Sequence, residues 1–531
     1  MDILIKNGRI VDGTGNKPFI ADIAVQRDRI AGIGKFEEDI ARQVIDAEGF
    51  TVTPGLIDGH THSELNLMVN RQHPNALYQG ISTVVTGQCG LGFAPMNPAV
   101  LEESVRFNAG IFGNDYRFLK PWRSFEDFLD LLSGCAVNVG ANVSHNAIRQ
   151  AVCGFRDEPL TGSKLLESKK VLESAMKEGA AGLSVGLSYY PGGYSDTQEL
   201  IELCHVVKEY DGVFCVHLRL DDGQIPLHPV EEIARIVKET GVRLNMLHYR
   251  TGSMLQGIET LFAPFQELEA EGMEIHYEYY PYMTGAGLVM ALIPGWAQEG
   301  GPDAVLERLG DRNLRKRLID EMDARHKYFF DEGQTCRITL TEDPYSPLLY
   351  KTMDEIAAKR GIGFSEAVIE TLLENHLQLG FMGVENQTEE LKEKLYEDQY
   401  RLFLDERYTI GSDTIPAGTL VHPRAFGAFT RVIRMMRKRN VPDEYIIKKL
   451  TSYPAAIYHI EGRGMLKEGF QADICLMKLD ELRDTASFEN GRNGAEGVDT
   501  LLVNGLPVLR YGKITGVLPG QAVRRGRGPW S

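Results

Sequence analysis

Two patterns of hydrophobic and polar positions divide this chain. From residue 1 to about 50, short apolar runs are broken by turn residues. Ile3-Leu4-Ile5 precedes Asn7-Gly8, a hairpin signal. Arg9-Ile10-Val11, the alternating stretch Ile20 to Val25, Arg29 to Gly34 and Gln43 to Asp46 follow, as expected of a small all-β unit. From about residue 51, apolar runs alternate with stretches of helical period. The runs are Phe50–Ile57, Thr83–Thr86, Val139–Val143, Ala181–Leu187, Val213–Val216, Arg243–Leu247, Met273–Tyr279 and Tyr408–Ile410. Between them, Ser168–Glu178, Thr197–Tyr210 and Pro229–Thr240 read as helices. Strands and helices in strict βα order predict a parallel sheet. At this length a TIM-like (β/α)8 barrel is favoured over an open doubly wound sheet.

The interval from about 285 to 405 is too long for one crossover. It is charged and reads as helical over Ala304–Asp323, Met353–Lys359, Ser365–Asn375 and Glu389–Tyr396, an insertion over the barrel mouth. After about residue 460 the strand-and-turn pattern returns, in Ala472–Met477, Val498–Val503, Leu506–Leu509 and Arg510–Lys513. The predicted architecture is therefore α/β. Residues 1–54 and 461–531 contribute the two parts of a small β-sandwich, and 55–460 form the barrel. The Gly/Arg-rich end, Arg524–Ser531, is expected to be a loose tail.

Composition narrows the function classes. The 531 residues are 43% hydrophobic and 25% charged, an ordinary globular balance. A net charge of −17 argues against nucleic acid or an anionic membrane as the main partner. No apolar run approaches a membrane span, and the first residues lack the features of a secretory signal. Seven cysteines without a CxxC pair fit reduced, cytoplasmic thiols rather than a disulfide framework.

Candidate chemistry collects at the ends of the predicted barrel strands, where active sites of this architecture lie. The first ends in His60-Thr61-His62; residues two apart on a strand share a face, so both rings can reach one metal. The second runs into Cys89, the third into Ser144-His145 and the fourth into Tyr189-Tyr190. The fifth ends in His217, the sixth in His248 with Arg250 beyond, the seventh in Tyr280-Pro281-Tyr282 and the eighth in Ser412-Asp413. Any one of these alone reads as an ordinary buried polar residue. Four histidines, a cysteine and an aspartate at strand ends of one barrel read as a metal centre, and thiolate, imidazole and carboxylate together suit zinc. A catalytic zinc lowers the pKa of a bound water to about 7. Asp413 is placed to take that water's proton and return it to a leaving nitrogen. Arg250 is placed to grip a substrate carboxylate with two parallel hydrogen bonds.

At these residues the chain resembles the amidohydrolase superfamily, and within it the N-acyl-D-amino-acid deacylases. The resemblance is carried by Pro54-Gly55-Leu56-Ile57-Asp58-Gly59-His60-Thr61-His62, Gly87-Gln88-Cys89-Gly90, Tyr190-Pro191, His217-Leu218-Arg219, His248-Tyr249-Arg250, Tyr280-Pro281-Tyr282, Gly411-Ser412-Asp413 and His422-Pro423-Arg424. It implies that Cys89, His217 and His248 hold a tight zinc, that His60 and His62 form a second, weaker site, and that Asp413 is both ligand and general acid/base. It also implies that Tyr190, Arg250, Tyr282 and Arg424 contact a small N-acyl amino acid, with Tyr189 and Tyr280 as adjacent alternatives. Arg250 stands where the family pattern often has lysine, Tyr249 where it often has histidine, and Ser63-Glu64 where some members carry an acidic pair.

The expected reaction is zinc-dependent hydrolysis of the linear amide of an N-acyl-D-amino acid. A cyclic-amide hydrolase of the dihydroorotase or hydantoinase type, or a D-dipeptide amidase, would use the same barrel. Cys89 in place of a bridging lysine argues against the cyclic amides. A non-catalytic scaffold is disfavoured because all six ligands are present.

Overall fold

A computed structural model describes the chain except for residues 39–40, 96–97, 115–121, 220–227, 252–257, 330–334, 386 and 527–531. Its centre is a barrel of parallel strands. In order they are Leu56–Asp58, Ile81–Thr86, an interrupted third strand (Asn138–Ala141 and Val143–Ser144), Gly182–Gly186, Val213–His217, Arg243–Met246, Ile275–Tyr279 and Tyr408–Ile410. Neighbours pair in parallel register, for example Gly186 opposite His217 and Tyr279 opposite Ile410. A parallel bridge between Thr61 and Thr414 joins the ends of the first and eighth strands and closes the ring. The third strand pairs with the second before Asn142 and with the fourth after it.

The strand expected over Phe50–Ile57 is two strands. Thr51–Pro54 pairs with Ile3–Ile10 and Ile474–Met477 in the terminal sheet, whereas Leu56–Asp58 enters the barrel. Gly55 makes the transfer: its N–H donates to the Asp473 carbonyl, and a Cβ there would collide with the Ser82 side chain. The hairpin signal at Asn7-Gly8 resolves differently as well. Ile3–Ile10 is one strand, and the Asn-Gly pair makes a register shift within it, with Asn7 at φ +59°.

The two chain ends share one sheet, nine-stranded among the described residues. It runs from Lys513–Ile514 through Leu506–Arg510, Val498–Val503, Ile474–Met477, Thr51–Pro54 and Ile3–Ile10 to Phe19–Gln26 and Arg29–Gly34. Gln43–Asp46 pairs in parallel with Ile3–Ile10. Residues from both ends, including Ile5, Ile23, Val25, Val52, Ile474 and Leu502, bury one apolar core.

The insertion is helical over Gly301–Gly310, Arg312–Phe329, Met353–Arg360, Phe364–Glu374 and Glu389–Leu404. The single helix expected over Ala304–Asp323 breaks at Asp311, whose carboxylate accepts from the Asn313 N–H and starts the next helix. The insertion also holds a three-stranded antiparallel sheet of Ala286–Leu288, Gly380–Gly383 and Cys336–Leu340. Ala109–Phe112, from the excursion between the second and third barrel strands, packs onto that sheet. Gly110 permits the contact, since a Cβ there would strike the Leu379 carbonyl.

The chain end is not loose as far as it is described. The Gly520 and Val523 N–H groups donate to the Cys135 and Val139 carbonyls, Arg525 N–H to Gly179 and Gly526 N–H to His459. A parallel bridge joins Val139 and Ala522. Residues 520–526 thus lie against the third barrel strand near its amino end; the rest of the expected tail falls outside the described residues. Among the described residues no helix is long and apolar enough to cross a membrane.

Candidate metal centre

The six candidate ligands come together at the carboxyl ends of the strands. Cys89 Sγ lies 3.3 Å from His60 Nε2 and 3.5 Å from His248 Nε2. His248 Nε2 is 2.8 Å from His217 Nδ1. Asp413 Oδ1 is 3.4 Å from His60 Nε2 and 3.2 Å from His62 Nε2. Two triads of donor atoms result, His60–His62–Cys89 and Cys89–His217–His248, each with its atoms within 4.8 Å of one another. Cys89 belongs to both. Ligands bound 2.0–2.3 Å from one tetrahedral zinc stand roughly 3.3–3.6 Å apart; the separations made by Cys89 and Asp413, 3.2–3.5 Å, are of that size, and the 2.8 Å between His217 and His248 is tighter.

The electrostatics fit a cation. Burial lowers the His217 pKa to about 4 and holds His248 well below the usual imidazole value, so both rings are neutral with lone pairs available. Burial also pushes the Cys89 thiol up to about 11, a penalty on the thiolate that a bound cation removes. Burial works against ionised Asp413 too, yet Arg424, His60 and His62 hold its carboxyl well below the ordinary range. Arg424 Nη1 pairs with Asp413 Oδ2 at 2.8 Å, both groups buried. The donor set therefore fits zinc, with one soft sulfur between imidazole pairs and a carboxylate beside one pair.

Local backbone geometry explains how strand ends present the candidate ligands. Cys89, His248 and Asp413 have φ of +53°, +39° and +51°, a region that non-glycine residues seldom adopt. Each lies just past its strand, where a left-handed residue turns the side chain back over the barrel mouth. Glycines make room for the Cys89 loop. A Cβ at Gly87 would strike the Asn142 carbonyl, and one at Gly186 the Cys89 carbonyl. The Gly90 N–H donates to Ser184 Oγ at 3.1 Å.

Three buried carboxylates that the strand-end reading missed support this arrangement. Glu278, within the seventh strand, takes His60 Nδ1 at 2.6 Å and leaves Nε2 directed at Cys89 and Asp413. Asp58 accepts from the His60 N–H, the Ser412 N–H and Ser412 Oγ, tying the first strand end to the segment that carries Asp413. Its pKa is raised to about 7 by burial. Glu64 accepts from the Gly87 N–H at 2.6 Å. The signal available for Glu278 was a charge inside an otherwise apolar and aromatic strand. For the other two it was the two-residue spacing Asp58-x-His60-x-His62-x-Glu64.

The tyrosines divide. The Tyr189 ring centroid lies 4.7 Å from that of His217, and Cys89 and Asp413 both act on its hydroxyl electrostatically. Tyr280 has two guanidiniums over its ring, Arg250 5.0 Å and Arg424 4.6 Å from the centroid. Tyr190 packs instead at a tilt against Tyr194, ring centroids 4.5 Å apart, its hydroxyl end against Gly295. Tyr282 donates to the Pro423 carbonyl at 3.4 Å under the Arg431 guanidinium. Arg250 donates to the Met283 carbonyl at 3.0 Å; among the described residues no carboxylate pairs with it. His145, at the third strand end, is turned away into a buried pair with Glu199, which also takes Arg149. From the excursion after the second strand, the Phe112 ring reaches within 6.0 Å of His62.

Comparison with known proteins gives one consistent picture. The profile of the Amidohydrolase family matches residues 43–509. A D-aminoacylase of Alcaligenes xylosoxydans xylosoxydans is 30% identical, over 99% of this chain and 98% of its own length. A solved D-aminoacylase has a TM-score of 0.78 at 28% identity, covering 99% of this chain and 100% of its own; it is described as having a binuclear metal centre, activated by one metal and attenuated by a second. The N-acyl-D-glutamate deacylase of Bordetella bronchiseptica, solved with zinc and a phosphonate that mimics the tetrahedral intermediate, has a TM-score of 0.79 at 26% identity, covering 99% of each chain.

Proposed function

The chain belongs to the Amidohydrolase family, and from that premise we propose that it is a zinc-dependent hydrolase of the linear amide bond of N-acyl-D-amino acids. The observation that carries the reading is Cys89, one thiolate shared by two ligand triads. The full-length similarity to D-aminoacylase supports the substrate class. A cyclic-amide hydrolase is disfavoured because that shared position carries sulfur rather than a bridging lysine.

Cys89, His217 and His248 would hold the tighter zinc. His60 and His62, with the same thiolate and Asp413, would form the weaker site. When bound, zinc supplies a Lewis acid for the acyl carbonyl and makes the attacking water acidic enough to ionise near neutral pH. Asp413 accepts the proton of that water and returns it to the departing nitrogen, so one carboxylate serves as base and then acid. Arg250, a cation without a carboxylate partner among the described residues, grips the α-carboxylate. Arg424 is already engaged by Asp413 and orients it, and, near the same Tyr280 ring, reaches the same carboxylate. Tyr189 donates its hydroxyl to the developing oxyanion. Tyr190 and Tyr282 shape the walls behind Tyr189 and Tyr280.

The test is hydrolysis of paired N-acetyl-D- and N-acetyl-L-amino acids with acidic, apolar and small side chains by zinc-loaded enzyme. Turnover confined to the D series is expected. Turnover of hydantoins with none on either linear series would transfer the site to cyclic amides.

A further inference from the structure

Glu64 stands two residues beyond His62, at the start of the short helix Glu64–Val69, and is fully buried. A carboxylate is a costly group to bury, and no arginine or lysine pairs with it among the described residues; its contact is with backbone. Oε1 accepts the Gly87 N–H at 2.6 Å, two residues before Cys89. Gly87 has φ +72° and its Cα faces the Asn142 carbonyl so closely that no side chain could stand there. Cys89 itself is left-handed. The loop holding the shared sulfur is therefore in a conformation that its own residues do not favour, and external contacts must hold it. At its far end the Gly90 N–H is held by Ser184. At its near end the acceptor is Glu64.

We propose that Glu64 is a positioning residue for the Cys89 thiolate: its carboxylate, carried on the segment that supplies His60 and His62, fixes the Gly87–Gly90 loop so that one sulfur reaches both ligand triads. At 2.6 Å between buried groups, this hydrogen bond is shielded from competing water. It also makes the two halves of the centre a single mechanical unit. Movement of the His60–His62 segment is transmitted through Glu64 to Cys89, and outer contacts of this kind typically govern metal affinity by 10–100-fold.

This inference rests on Cys89 being a metal ligand, and the experiment separates the two. Cobalt(II) is loaded into the metal-free full-length protein, and the thiolate-to-cobalt charge-transfer absorption is recorded with the metal affinity and the thermal midpoint. Glu64→Gln keeps an oxygen acceptor of the same length and should retain the band with an affinity within about threefold of the parent. Glu64→Ala, and Glu64→Asp with its shorter reach, should shift or lose the band and weaken metal binding roughly tenfold or more. If Glu64→Ala does not fold, Glu64→Asp decides the matter alone. A band and affinity unchanged in every folded variant overturn the role of Glu64 and leave the metal site standing. A parent protein with no charge-transfer band removes Cys89 from the metal, and the inference with it.

Discussion

At the carboxyl end of the barrel strands, Cys89, His248 and Asp413 all sit at positive φ, and buried carboxylates at 58, 64 and 278 are spent on backbone amides, one serine hydroxyl and one imidazole. At the amino end the charged groups satisfy one another. Arg243 meets Asp211 at 3.4 Å and Glu274 at 2.8 Å, and Glu274 also takes His276 at 3.1 Å. The chain end crosses the same region through main-chain bonds from Gly520, Val523, Arg525 and Gly526. Left-handed non-glycine residues cost about 1–3 kcal/mol each. The carboxyl end therefore holds its candidate ligands in backbone conformations that cost stability, and the amino end supplies stability. Substitutions at the first should change chemistry with little loss of fold, and at the second the reverse.

The largest effects should follow from the metal centre. Cys89→Ala should lower zinc content after dialysis together with kcat/KM, by at least about a thousandfold in rate. Asp413→Ala should reduce kcat by roughly 10²–10⁴-fold, the range for a general acid/base, while zinc remains in the Cys89–His217–His248 triad. Normal turnover in the Asp413 variant would sink the mechanism. Arg250→Ala should act on binding. Losing a charge-assisted grip of about 1.5–3 kcal/mol raises KM about 10–100-fold with a smaller change in kcat. An equal effect on substrates whose carboxylate is amidated would place Arg250 elsewhere.

The carboxyl end was also the more legible in sequence, and for a physical reason. Strand-end positions are fixed by the βα repeat, and His60-x-His62 shows its shared face directly. What sequence withheld depends on which way a side chain turns after its strand has ended. Tyr189 and Tyr190 are adjacent, and no periodicity chooses between them once the strand stops at Gly186. The small sheet of the insertion was invisible because Ala286–Leu288 and Gly380–Gly383 are short, glycine-containing and without alternation. The tail expected over Arg524–Ser531 overlaps the strap at 520–526 only at 524–526, and the sequence hides that part because its pairing is made by backbone, which glycine and arginine supply as well as any residue. Asp58 and Glu64 kept the two-residue spacing of the histidines and could have been found from it.

At the amino end, a chain stopped after Leu518 removes the contacts that Gly520–Gly526 make with the third strand and the loops around it. Main-chain bonds contribute about 0.5–1.5 kcal/mol each, offset in part by the freedom the strap regains. The expected loss is about 2–4 kcal/mol in urea denaturation, with kcat of the zinc-loaded protein unchanged. A fall in kcat with no loss of stability would reverse the contrast between the two ends.

The smallest expected effect is a pH dependence near the start of the eighth strand. Lys449 is buried, its pKa lowered to about 7 by desolvation against weaker upward pulls from Asp405 and Glu406; Lys448 and Arg407 also face it as cations. In the unfolded chain a lysine titrates near 10.4. Below about pH 7 both states carry the proton, and the folded state bears the full desolvation penalty. Between pH 7 and about 10 the unfolded state holds a proton that the folded state does not, so this group makes stability rise with pH by up to about 1.4 kcal/mol per unit. Lys449→Met abolishes that rise. Urea midpoints of the parent and Lys449→Met at pH 7.5 and 9 should therefore converge, with Met the more stable partner at pH 7.5 and its advantage shrinking by about 1–2 kcal/mol at pH 9. A constant gap between them would mean that Lys449 is charged in the folded protein, held by the aromatic rings of Phe403, Tyr445 and Tyr453 around it. The amino end would then keep a buried cation by those rings together with the Asp405 carbonyl, 2.5 Å from Nζ, as the carboxyl end holds Glu64 on a backbone amide.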